Sequence, residues 1–159
     1  VADKRVHTLV IGSMWGGKIK EEEFYEVAAT VRPLLETRKD LKVYVMLDYP
    51  WTPNVGGQQG IYDPLKHVNR ITGEAVGMVQ SFPAADDWKR GNEEIQRILG
   101  DAAEYIDPAP VVCPDEKCNL QAWYRDDDHL QPKRIEADGI WVDRIFEHAA
   151  AAESKERSR

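Results

Sequence analysis

The chain reads as a three-layer α/β fold built on a parallel sheet, and three observations carry that reading. Two β-branched runs, residues 6–12 and 41–49, have the composition of buried strands. Between them, residues 20–38 repeat their apolar side chains at helical spacing, so the chain leaves one strand and enters the next through a crossover. Such a strand-helix-strand unit makes a parallel pair. A second helical pattern followed by a short strand then repeats the alternation.

Size and charge narrow the field. At 159 residues and 42% hydrophobic composition, the chain can bury one real core but not two. One domain over residues 1–152 is expected, with the polar stretch 153–159 as a disordered tail. Lysine and arginine total 21 against 28 aspartate and glutamate, and the net charge of −7 comes with no basic cluster, which argues against nucleic acid as a partner. No apolar run reaches the length of a membrane span and residues 1–5 lack a signal-peptide core, so the chain by itself is expected to be soluble. It begins at Val1 and not at methionine, which suggests a piece of a longer protein whose targeting lies elsewhere.

Taken in order, the first strand ends at Gly12, and Ser13-Met14-Trp15-Gly16-Gly17 forms a small, flexible loop past its carboxyl end. That is where α/β sheets place ligand contacts. Ser13 invites a reading as nucleophile, but the flanking glycine of a nucleophile elbow is missing and so is the Asp of a GDS motif. In the helix that follows, Phe24, Val27, Ala28, Val31, Leu34 and Leu35 make one apolar stripe. Pro33 lies inside it and predicts a kink or an early end.

The second strand stops at Pro50, and residues 50–64, with Gly56-Gly57, read as a long loop on the same sheet edge as Gly12. Residues 64–72 are read as a short helix, and 73–83 have no legible pattern. Residues 85–103 are helical again, capped at Asp86 or Asp87, with Trp88, Ile95, Ile98, Leu99 and Ala102 on the apolar face. Residues 104–108 are the next short strand. The closing helix has Ile135, Ile140, Trp141, Ile145, Phe146 and Ala149 as its stripe.

Chemistry concentrates near the C-terminal end. Cys113 and Cys118 are the only cysteines, and a C-x4-C pair without a second Cys or His pair is poor evidence for a metal. A disulfide and two reduced thiols are both compatible with the spacing. Beyond them, Tyr124-Arg125-Asp126-Asp127-Asp128-His129-Leu130 sets an Asp three residues before a His in a loop. There the Asp126 carboxylate can take a hydrogen bond from one ring nitrogen of His129, freeing the other as a base. The same residues also suit a solvated loop and helix cap.

The order of these features resembles one family. A strand ending near Trp15, an amphipathic helix, a strand closing on Pro50, a helix with Asn92, a strand at Tyr105-Ile106-Asp107-Pro108, the Cys113/Cys118 pair and the D-x-x-H-L loop are similar to the SGNH (GDSL-type) domain fused to membrane O-acyltransferases of bacteria. The resemblance runs from about Val6 to Phe146. It implies a flavodoxin-like SGNH-hydrolase fold that is incomplete at its N-terminus, since the family's GDS serine block has no counterpart here. By order along the chain, Val10 to Trp15 match a later strand, so Ser13 does not replace that serine, and the Asn that binds the oxyanion in SGNH hydrolases is absent. After the histidine, Gln131 and Arg134 stand where the family usually has serine and a glycine.

What the resemblance implies about function follows. His129 would take the proton of a serine outside the chain, Asp126 would orient the imidazole, and an acyl group, acetyl by the resemblance, would pass through an acyl-serine to a hydroxyl of a surface polysaccharide such as O-antigen. The acyl donor would arrive through an integral-membrane acyltransferase domain, and the setting would be periplasmic or otherwise extracytoplasmic, with Cys113 and Cys118 joined. No cofactor or metal is implied. Trp15, Tyr49 and Trp51 could stack on sugar faces. The isolated chain is expected to be inactive. The rival readings are a non-catalytic glycan-binding or assembly domain on the same framework, a carbohydrate esterase, and a cytosolic flavodoxin-like module with reduced cysteines.

Overall fold

The computed structural model describes residues 5–17, 20–51, 62–63, 68–69, 78–80, 87–124, 129–138, 143 and 150. Its centre is a parallel three-stranded sheet in the order β1-β2-β6, where β1 is Thr8–Gly12, β2 is Lys42–Met46 and β6 is Glu104–Ile106. Register is continuous, with Leu9 opposite Val43, Ile11 opposite Val45 and Val45 opposite Tyr105. The parallel pairing and the α/β alternation are as the sequence predicts.

Period-two alternation along β2 decides what each face buries. Val43, Val45 and Leu47 face α1 (Glu21–Thr37) and α2 (Asp87–Leu99), and form one core with Phe24, Ala28, Val31, Ile95, Ile98 and Leu99. Each such side chain stabilises the fold by about 1.5–3 kcal/mol on full burial. Tyr44 points the other way and is only 1% exposed, so β2 is covered on both faces, as an interior strand of a parallel sheet must be. β1 differs. Leu9 and Ile11 pack against the helical core, but Val10 is 45% exposed, and no strand among the described residues pairs with its outer edge.

Helix α1 runs unbroken through Pro33 to Thr37, where the sequence predicted a kink or an early end. Both Pro33 and Ala29, whose carbonyl the proline leaves without its helical donor, lie on the solvent side, so water can take the place of the lost bond. Arg32 reaches across to the Ile98 carbonyl at 2.7 Å and ties α1 to α2. α2 ends at Gly100, whose φ of 53° is the left-handed geometry that glycine adopts freely.

Outside the sheet, short elements replace what the pattern left open or misread. Tyr62–Asp63 (β3) and Val68–Asn69 (β4) pair antiparallel, so the second half of the stretch read as a helix contributes a strand instead. Met78–Gln80 (β5) pairs with Lys117–Asn119 (β7), which brings Val79 opposite Cys118. Around β7, Ala109–Val112 (α3), Leu120–Trp123 (α4) and Pro132–Asp138 (α5) enclose a second cluster of Val112, Cys113, Cys118, Trp123, Tyr124 and Leu130. Ile135 packs on this cluster. The remainder of the closing stripe, Ile140, Trp141, Ile145, Phe146 and Ala149, lies outside the described residues, as does the tail. Among the described residues, no helix is long and apolar enough to cross a membrane.

Candidate active site

A cleft of about 230 Å³ opens at the carboxyl ends of β1 and β2. Gly12, Ser13 and Met14 form one wall, Met46 to Tyr49 and Trp51 the floor, and His129 closes it. Parallel sheets collect ligand-binding groups at this end because their loops and helix N-termini converge there.

The described residues on either side of 125–128 are fastened to each other, next to His129. Tyr124 and Leu130 form an antiparallel bridge, and the Gln131 backbone donates to the Trp123 carbonyl at 2.7 Å, so the chain turns back on itself between them. Gln131 and Arg134 fasten the turn. The Gln131 side-chain amide donates to the Tyr124 carbonyl at 3.2 Å, and the Arg134 guanidinium lies 5.1 Å from the Trp123 ring centre. Pro132 opens α5, where its missing N–H is harmless.

Two further ties bind this turn to the sheet. The Tyr124 hydroxyl donates to the Pro50 carbonyl, and its ring meets Tyr49 edge-on with centroids 6.1 Å apart. Burial pushes the Tyr124 phenol well above the usual tyrosine range, so it remains a donor. Cys113 and Cys118 form a disulfide beneath the same ring, in the pairing that the resemblance implied. His129 itself is exposed. Asp126, its predicted partner, lies with Asp127 and Asp128 outside the described residues.

The three predicted aromatic contacts part company, and half-buried Tyr49 lines the cleft. Trp51 is half-buried and lines the cleft. Trp15 is 1% exposed, gives its indole N–H to the Met46 carbonyl at 2.8 Å and packs on Phe24, so it anchors the loop to the core and offers no ring face for a sugar in the cleft. Ser13 is exposed on the cleft wall.

Asp48 is the residue that sequence reasoning passed over. It sits on the cleft floor, 6% exposed, and its carboxylate accepts the Gly16 N–H at 3.0 Å. Burial pushes its pKa up to about 6, against the opposing pull of the Gly16 and Trp15 amides. The available signal was its place, directly after an apolar strand at the sheet's carboxyl edge. Another Asp-His pair, Asp40 and His7 at 3.0 Å, stands at the opposite end of the sheet, where Arg38 also grips Asp40 and holds its carboxyl well below the usual range.

A larger hollow of about 440 Å³ lies between Phe24 and α2, yet it suits this chemistry less well. Its arginines, Arg90 and Arg97, pair with Asp87 and Glu94, and among the described residues that line it there is no histidine or hydroxyl nucleophile. Among the described residues no group of acidic, His or Cys side chains is placed to hold a metal.

Comparison with protein families supplies a match. The model of the family described as "SGNH domain (fused to AT3 domains)" matches residues 1–133, which takes in both strands of the cleft and the His129 turn. None of the curated proteins matches the chain.

Proposed function

The chain belongs to the family of SGNH domains fused to acyltransferase-3 domains, and from that premise we propose that it is the part of such a domain that carries the catalytic base. The family points to acyltransferase or esterase chemistry and to a membrane acyltransferase as the partner domain. In our reading, a serine supplied from outside the chain attacks the acyl carbonyl of the donor while His129 takes its proton, and the departing donor group takes that proton in turn. The acyl-serine is then opened by a sugar hydroxyl, whose proton passes through His129 back to the serine oxygen. Asp126 holds the imidazole tautomer. The acceptor is a surface polysaccharide, the acyl group is acetyl, and the domain works on the extracytoplasmic side.

The observation that carries this reading is the place of His129, on a cleft past the carboxyl ends of two parallel strands, with its turn bound to the strand exits. A second supports the external nucleophile. β1 has the apolar run of an interior strand but leaves Val10 open, and a mainly apolar groove of about 500 Å³, lined by Leu9, Ile11, Val27 and Val31 together with Glu23, Glu26 and Thr30, runs between it and α1. A further strand and helix added at that edge would bury both and would end beside the cleft.

The deciding experiment compares hydrolysis of an aryl acetate by this chain and by a form extended upstream through the complete domain. Turnover should require the extension, vanish in His129→Ala and fall by about 10⁴ in Asp126→Asn. Turnover by the isolated chain that is lost in Ser13→Ala would assign the nucleophile to Ser13. Sugar binding without turnover by the extended form would favour the glycan-binding reading.

A further inference from the structure

Asp48 and Asn92 carry the two polar side chains buried in the core among the described residues, and the Asn92 side chain holds the Asp48 backbone. Asn92, on α2, accepts the Asp48 backbone N–H at 2.7 Å and donates to the Asp48 carbonyl at 3.0 Å. With its peptide fixed on both sides, Asp48 turns its carboxylate to the loop after β1. There it meets the consecutive Trp15 and Gly16 amides, an anion-binding arrangement of backbone donors.

Those amides directly follow Ser13 and Met14, the wall of the cleft. Among the described residues, the other hydrogen bonds of the loop are the Trp15 indole on the Met46 carbonyl and the Gly17 N–H on the Met14 carbonyl at 3.2 Å, and its Trp15–Gly16 backbone packs on Gly91 of α2. Only the carboxylate, among these, ties the loop backbone to the cleft floor. Burial penalises the ionised form of this carboxylate and the two amides favour it, a balance of the kind that collects at functional sites. We propose that Asp48 is the positioning residue of the cleft. Through the Trp15 and Gly16 amides its ionised carboxylate sets where the Ser13–Met14 wall stands opposite His129, and the wall shifts when the carboxylate is neutralised.

Tyr49 and His129 lie on the cleft side of Asp48; Asp87 and Arg90, paired at 2.9 Å, start α2, which also carries Lys89, Glu93, Glu94 and Arg97, and Asp107 follows β6 beside the exit of β2. Of these, His129 shares the cleft and must be separated from Asp48 in any titration. The consequence for catalysis rests on the acyl-transfer reading given above, whereas the geometry does not.

Backbone amide resonances of residues 13–16, followed from about pH 4.5 to about pH 8, test the proposal in the unmodified chain. Gly16 should shift with a midpoint near about 6, and Ser13 and Met14, which do not bond the carboxylate, should shift with it. The transition should persist in His129→Ala and disappear in Asp48→Asn. Flat Ser13 and Met14 signals beside a titrating Gly16 would overturn the proposal, as would a transition that follows His129. In the extended domain, Asp48→Asn should lower kcat/KM by about 10- to 100-fold and remove a pH dependence near neutrality's acid side. If the extended domain has no ester turnover at all, the acyl-transfer reading fails and the amide titration still decides the role of Asp48.

Discussion

The side-chain amide of Asn92 pairs with both polar groups of the Asp48 peptide, at 2.7 Å and 3.0 Å, across 44 residues of sequence. One helix thereby fixes the exit of β2. Asn92→Ala would leave a buried N–H and a buried carbonyl without these partners, so a loss of roughly 2–4 kcal/mol is expected. Urea unfolding measures it, and a loss within error of zero would mean that water replaces the amide.

Asp48 makes stability depend on pH with a definite sign. Its carboxyl moves from 3.8 to about 6 on folding, so between those values the native state keeps a proton that the unfolded chain has released. Stability should therefore be greatest below that window, fall as pH rises through it and level off above about pH 6, by at most about 3 kcal/mol. Asp40, whose carboxyl is held low, acts in the opposite sense and only at more acid pH. Asp48→Asn should flatten the decline, which denaturant midpoints at several pH values would reveal.

Gly91 predicts a reversal of the usual helix rule. Alanine in place of a helical glycine ordinarily stabilises by up to about 1 kcal/mol. Here a Cβ on Gly91 would stand 2.2 Å from the Gly16 nitrogen and 2.4 Å from the Trp15 carbonyl carbon, both backbone atoms that cannot swing aside. Gly91→Ala should therefore destabilise by about 1–3 kcal/mol. A gain in melting temperature would contradict this packing of α2 on the loop.

The disulfide closes a short loop, with Cys113 and Cys118 five positions apart, and both cysteines are buried. Loop-closure entropy for so short a ring gives about 2 kcal/mol. Reduction after unfolding should raise the mass by two hydrogens, and the reduced chain should refold with that deficit. Thiols that label freely in the native, oxidised protein would contradict the bridge.

How far the sequence could be read depended on how local the determining interactions were. The β1-α1-β2 unit was legible because apolar runs and the Phe24 to Leu35 stripe each lie within one element. β5 was not, since its three residues carry no period and its partner β7 lies far along the chain. Trp15 and Asp48 fail to declare themselves for the same reason. A tryptophan after a strand suits a sugar platform until Met46 claims its indole, and an aspartate before a loop looks solvated until Asn92 and Gly16 enclose it.

Tyr124 offers a test that separates support of His129 from support of the fold. Its hydroxyl bonds the Pro50 carbonyl, its backbone pairs with Leu130, and its carbonyl takes the Gln131 amide, so one residue fixes the histidine turn to the exit of β2. Tyr124→Phe removes only the first tie and leaves the ring in place against Tyr49. The carbonyl of buried Pro50 then lacks that donor, and stability should fall by about 1–3 kcal/mol. Val31→Ala, a cavity in the helical core away from the cleft, should destabilise by a similar amount. In the extended domain, under conditions where both variants are folded, only Tyr124→Phe should lower ester turnover, by about 10-fold or more, because only it loosens the turn that aims His129. Equal loss in the two variants would reduce Tyr124 to a contributor to stability alone.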